Sequence, residues 1–478
     1  MTVELPPEII DLIVDALPYD KLIWSMKSSL AQDHAHAEQA EDLRSCTYVS
    51  RSFSNAARRR LFSTLILEEP THTRGEPEPK DVVQMLTTLL ELLEDAGFLG
   101  VIKTLKLNVD SSEPGVWVWH CRPSADKLLG RIFTAMNTSI SNLSHICLEG
   151  PTYTPLDWSI GTSTQQALLQ VLPRVRQLSI KSLRAPAFLF EHSPLLESLN
   201  LIHVPVGLER NSQEAESQSF LNVLPLPSHL RELVIRMNLR LFSKMYQGRG
   251  QSLPACTRIR LEYRKEDTLV VGKLLEGSKE VLESLIIVHL FTRHSERDAL
   301  LGVQLKLEDF HKLSTIKFVV HGTKSSQNDN LLCFVKTTIM SFLDSLESAM
   351  LPAHLQQLDF LFPYTGTIYM RQETQANATY ITQESTRHST LLEKLPYLKS
   401  IMIIVDASGQ KIWREPSKDS DENDSKRILE ANLSAIVDAL FGIHHRSDIL
   451  LSPSIDARVA WDIPSDFDLY RAERQATQ

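Results

Sequence analysis

The stretch LPRVRQLSIKSLRAPAFLFEHSPLLESLNLI, Leu172–Ile202, states one local pattern twice. An apolar residue is followed by two others, a second apolar residue, one other and a third apolar residue: Val175/Leu178/Ile180, then Leu196/Leu199/Leu201. The last two apolar positions are separated by the side-chain period of a strand. They share one face, and Ser179 and Asn200 take the other. Pro173 and Pro194 stand just ahead of the first apolar position. A proline there ends a preceding helix and biases its neighbour toward extended backbone. The stretch reads as a strand, a connection and a second strand of the same kind.

The pattern continues on both sides. Towards the N-terminus it is Ile102/Leu105/Leu107 and Leu143/Ile146/Leu148. Towards the C-terminus it is Leu230/Leu233/Ile235, Cys256/Ile259/Leu261, Leu282/Leu285/Ile287, Leu313/Ile316/Phe318, Leu355/Leu358/Phe360 and Leu398/Ile401/Ile403. The apolar spacing alone arises about a dozen times by chance in a chain of ordinary apolar usage. Proline gives it weight. Six of the ten copies have one two or three residues ahead (Pro173, Pro194, Pro227, Pro254, Pro352, Pro396), where chance places roughly one at ~5% proline. Helical patterns lie between copies, at Asp81–Ala96, Asp126–Ile140, Thr164–Leu172, Thr268–Glu276 and Asn330–Met350. The unit is therefore strand then helix. Central positions lie 21 residues apart at the closest, Leu178 to Leu199, and 43 at the widest, Leu358 to Ile401.

Such a unit resembles an irregular, degenerate leucine-rich repeat, in which each unit covers its neighbour's open face. The resemblance implies a solenoid with a curved parallel sheet, an α/β (α+β) chain. The alternative from the same residues is a non-solenoid α/β domain with a parallel sheet.

The N-terminus reads differently. LPPEIIDLIVDAL, Leu5–Leu17, is a helix with Pro7 in its first turn, where the missing N–H is harmless. Leu5, Ile9, Ile10, Leu12, Ile13, Val14 and Leu17 cover more than half its circumference, leaving a narrow acidic stripe of Glu8, Asp11 and Asp15. That is wider than one buried face requires. A unit of three short helices buries too little surface to cover it, so one apolar face is kept for a partner. The opening Leu5-Pro6-Pro7-Glu8-Ile9-Ile10, the run Val49–Phe53 (VSRSF) and the helix Ala57–Phe62 (ARRRLF) resemble an F-box of the kind found in fungal proteins. That resemblance implies docking on a Skp-type adaptor, and through it on a cullin, in a ubiquitin ligase. Leu5, Pro6, Ile9, Ile13, Leu17, Val49, Phe53 and Leu61 are the implied adaptor contacts. The segment Pro18–Asp42 departs from the family as an insertion between the first two helices.

These readings divide the chain into a helical module at 1–67 with its insertion at 18–42, a linker at 68–80, the repeat domain at 81–463 and a tail at 464–478. Glu209–Ser219, Gly366–His388 and Arg414–Ser425 are polar and read as protruding loops.

Composition narrows the function. There are 17 glycines among 478 residues, against about 33 at ordinary usage, so phosphate-cradling loops are disfavoured. The net charge of −9 argues against a nucleic-acid binder. No apolar run is long enough to span a membrane, and MTVELPPEII lacks the basic start of a signal peptide. Five scattered cysteines read as reduced thiols. The expectation is a cytoplasmic or nuclear protein. Neither a G-x-S-x-G elbow nor a G-x-x-x-x-G-K-[ST] loop nor a C-x-x-C pair occurs. No cofactor, metal or catalytic residue is therefore expected, and the implied role is that of a substrate receptor. A scaffold that binds proteins without ubiquitin transfer is the alternative.

A client surface is sought among residues alternating with the inward apolar ones. Early strands offer Lys106, Gln177, Ser179, Lys181, Ser198 and Asn200; middle strands offer Arg236, Arg258 and Arg260. Late strands turn apolar, with Ile286, Val288, Val319, Leu361, Met402 and Ile404. Two readings of the late strands stand level: a gripping patch, or a sheet covered on both faces. For the arginines, forking onto a client carboxylate or phosphate competes with pairing to Glu232 and Glu262 across the sheet.

Overall fold

The computed structural model describes residues 6–16, 45–46, 48–68, 81–94, 99–108, 123–138, 141–150, 161–183, 188–202, 229–236, 255–263, 268–290, 306–321, 350–363, 368–369, 395–406, 412–413 and 454–460. The chain divides into two compact units, Met1–Leu230 and Arg231–Gln478.

The first unit opens with α1, Pro7–Ala16, and α2, Arg51–Leu61. Ser50 caps α2: its Oγ accepts the Phe53 amide at 3.3 Å, satisfying one of the free donors of the first turn. Ile10 and Val14 of α1 pack on Ala56 and Ala57 of α2, with Cys46, Phe53 and Phe62 at the margin. The Arg60 guanidinium donates to the Val14 carbonyl at the end of α1, where a cation suits the helix dipole.

Five parallel strands follow in chain order: β1 (Thr64–Glu68), β2 (Thr104–Asn108), β3 (His145–Glu149), β4 (Gln177–Lys181) and β5 (Ser198–Ile202). Central residues meet central residues at every rung, Leu65 on Leu105, Leu105 on Ile146, Ile146 on Leu178 and Leu178 on Leu199. Between the strands run α3 (Asp81–Leu93), α4 (Pro123–Met136), α5 (Thr162–Val171) and the short α6 (Phe188–Glu191). Helix α3 packs on α4, and α4 on α5. The buried stripe of α4 (Leu129, Ile132, Phe133, Met136) and the inward residues of the strands form the apolar interior.

The second unit holds seven parallel strands, again in chain order: β6 (Glu232–Arg236), β7 (Arg258–Tyr263), β8 (Ser284–Leu290), β9 (Thr315–His321), β10 (Gln357–Pro363), β12 (Ser400–Asp406) and β14 (Ser454–Ala460). A small parallel pair, β11 (Ile368–Tyr369) and β13 (Ile412–Trp413), lies apart from that sheet. Helix α7, Thr268–Glu276, precedes β8. Phe318, Phe360 and Phe362 stack along the inward side, with centroids 5.8 and 6.3 Å apart.

One junction is repeated within each unit. The carbonyl just before a strand receives two successive amides from the start of the next, as Lys103 does from Ser144 and His145, and Thr257 from Glu283 and Ser284. The turn before the strand is closed by the first apolar residue: Val175 N–H to Leu172 O, Leu196 to Ser193, Leu398 to Leu395. Pro173, Pro194 and Pro396 occupy the second position of these turns, where proline's fixed φ is already suitable. The proline therefore does more than end a helix; it shapes the turn that launches the strand.

All ten predicted strands form, and all thirty of their patterned apolar residues are buried. The sheet also begins earlier than expected. β1 precedes the segment 68–80 and directly follows α2, with Ser63 O accepting the Lys103 and Thr104 amides. The helix pair thus runs into the sheet without an intervening linker. The insertion at 18–42, positions 330–349 of the fifth helical pattern, the loops at 209–219 and 414–425 and the tail at 464–478 lie outside the described residues; of the segment read as a loop at 366–388, Ile368–Tyr369 form β11 and the rest lies outside them. Among the described residues no helix is long and apolar enough to cross a membrane.

Candidate functional site

Three surfaces carry the residues picked out by sequence. The first is α1. Because 3.6 residues make a turn, Ile9 and Ile13 share one face, and Ile10 and Val14 the neighbouring one. Ile10 and Val14 are buried against α2, whereas Ile9 is 42% exposed and Ile13 41%. Pro6 is exposed and Val49 is 66% exposed. Tyr48, which carries no motif and is not among the residues picked out by sequence, is more exposed still. Phe53 is partly buried against the helix-pair core. Leu5 and Leu17 lie outside the described residues, as does the side chain of Leu61.

The second surface is the outward face of the sheet in the first unit. Here Lys106, Cys147, Ser179 and Asn200 lie in one register row, with Glu149 opposite Lys181 in the next. Glu149 binds Lys106 at 2.6 Å and Lys181 at 2.5 Å. Burial pushes its carboxyl up, but the two ammonium groups outweigh burial and hold it below the usual range. Ser179 Oγ lies 3.1 Å from His145 Nε2 and accepts from Asn200 Nδ2 at 3.1 Å. Glu149 is absent from the residues picked out by sequence. Its signal is an acid on the outward side of Leu148, but only the strand register reveals its two lysines.

The third surface is the outward face of the second unit. Arg258 is exposed and reaches Glu232 at 3.6 Å; Arg236 is buried and reaches Glu262 at 3.2 Å. Two of the three arginines thus make the cross-strand pairs named as their alternative. Arg260 is buried between Val234 and Ile286 in its row. Lys317 reaches the buried Asp359 at 3.1 Å.

Of the two readings of the late strands, burial favours the covered sheet. Val288, Val319, Leu361 and Ile404 are fully buried and form a second apolar cluster, with Ile286 and Met402 packed against it at partial exposure. Val288 and Ile404 are therefore core residues rather than a free gripping patch. Adjacent β-branched and aliphatic side chains in register on four strands bury one another's surface. Cys256, counted among the apolar positions, behaves as one: burial raises its thiol to about 12.

No family model matches this chain, and no curated protein matches it.

Proposed function

We propose that this chain is the client-holding subunit of an Skp–cullin–F-box ubiquitin ligase. In this reading α1 and α2 belong to an F-box that docks a Skp-type adaptor. The strands that follow belong to an irregular leucine-rich-repeat solenoid with a curved sheet, which holds a client protein in the cytoplasm or nucleus. The chain itself performs no chemistry. Tethering raises the client's effective concentration beside the ligase.

The observation that carries the reading is the split of α1: Ile10 and Val14 buried on α2, Ile9 and Ile13 exposed one turn apart. Exposed apolar pairs on an ordered helix favour a partner surface. The sheet supports the receptor role through its one strand per sequence repeat in constant register. Client contacts fall to residues left accessible or half-accessible: Lys106, Lys181, Gln177, Arg258, Ile286 and Met402.

Affinity purification of wild type and of the Ile9→Asp/Ile13→Asp double variant tests this. The adaptor and cullin are expected with wild type and absent with the variant, at equal unfolding temperature because both side chains point outward. Equal adaptor recovery from both, or none from either, turns the assignment toward a scaffold acting without ubiquitin transfer.

A further inference from the structure

Arg260 is 5% exposed, and among the described residues neither its Nε nor its Nη2 has a hydrogen-bond partner. These two nitrogens form one edge of the planar guanidinium, the edge whose parallel N–H groups match two oxygens of a phosphate or carboxylate. Its row neighbours Val234 and Ile286 are apolar. Glu262, on the same outward face, is engaged by Arg236 at 3.2 Å. Among the described residues, Glu262 thus acts on both guanidiniums. Burial lowers the Arg260 pKa to about 9, with Arg236 acting in the same direction and Glu262 against it, so it remains charged at neutral pH. A buried charge lacking its hydrogen bonds is costly unless something supplies them. A single oxyanion supplies two acceptors and the missing negative charge together.

We propose that Arg260, seconded by Arg236, forms a phosphate-binding site on the outward face of β6–β7. A phosphate group, free or esterified to a small molecule, is held bidentately by Arg260 Nε–H and Nη2–H. Arg258, exposed and paired with Glu232, is outside it. The site is independent of the ligase reading.

Thermal unfolding of the full chain, titrated with inorganic phosphate against sodium chloride of equal ionic strength, tests the proposal. Phosphate is expected to raise the wild-type unfolding temperature progressively beyond the chloride control. Arg260→Met should abolish that rise. In phosphate-free buffer it should unfold no lower than wild type, since it replaces an uncompensated buried charge by an apolar chain of similar length. Arg258→Met should respond as wild type does. Should Arg260→Met fail to fold, Arg260→Lys keeps the charge but loses the fork, and should need at least tenfold more phosphate for the same rise. Phenyl phosphate separates the two sources: a rise with it assigns the site to esterified phosphate, and a rise with inorganic phosphate alone assigns it to the free ion. A wild-type response no larger than that to chloride, or an undiminished response in the Arg260 variants, overturns the proposal.

Discussion

Asp126 shows how one residue joins two repeats. It lies in the first turn of α4, yet its carboxylate accepts the Ser163 and Thr164 amides at 3.1 and 3.0 Å and the Thr164 hydroxyl at 2.7 Å. It thus caps α5, whose own cap position is Gly161 and provides no side-chain bond. A Cβ at Gly161 would meet the Asp126 carboxylate, so a larger residue there would displace the capping group. Burial raises the Asp126 pKa, but the Thr164 and Ser163 hydrogen bonds more than reverse this and leave it below its ordinary value of 3.8. A depressed carboxyl stabilises the fold above its unfolded pKa and loses that contribution as pH falls through the folded one. Asp126→Ala should therefore lower stability by about 1 kcal/mol at neutral pH, with the difference from wild type shrinking below the ordinary carboxyl range. Denaturant titrations at neutral pH and in acid below that range check both parts; a difference that grows on acidification contradicts the cap. None of this is legible in the sequence, because the partners are more than thirty residues apart and local motifs see only neighbours. The arginines are half legible. Sequence names Glu232 and Glu262 as possible partners, and register alone decides that Arg258 takes the first, Arg236 the second and Arg260 neither.

At the scale of elements, ten strands are legible because each inward apolar pair repeats with its turn. Apart from the small β11–β13 pair, two more are hidden for opposite reasons. β1 has the full spacing in Phe62/Leu65/Leu67, but the helical motif running up to Phe62 conceals it. β14 places Ile455 on Ile401 and Ala457 on Ile403, and its pattern reads Ser452/Ile455/Ala457. Two small residues there erase the apolar signal while the backbone ladder persists. The apolar outward rows of β8–β12 are legible as apolar but not as covered, since burial depends on what lies against the sheet. Leu361, in the middle of that second cluster, gives the test. Leu361→Ala should cost about 2–5 kcal/mol, measured by denaturant unfolding. A cost near zero is the mark of a surface residue and contradicts a sheet buried on both faces.

In the molecule as a whole, an exposed apolar helix face is joined to a parallel sheet that continues directly from it. In the proposed function the two have separate tasks, so a partner on the helices should leave the strands unchanged. Hydrogen exchange on the full chain, with and without a purified Skp-type adaptor, reads both at once. Slowed exchange is predicted only in peptides covering Pro7–Ala16 and Tyr48–Leu61, with β2–β5 and β6–β12 unaltered, and no slowing in the Ile9→Asp/Ile13→Asp variant. Slowed exchange in the strands alone, or no change anywhere at saturating adaptor, contradicts docking through the helix pair.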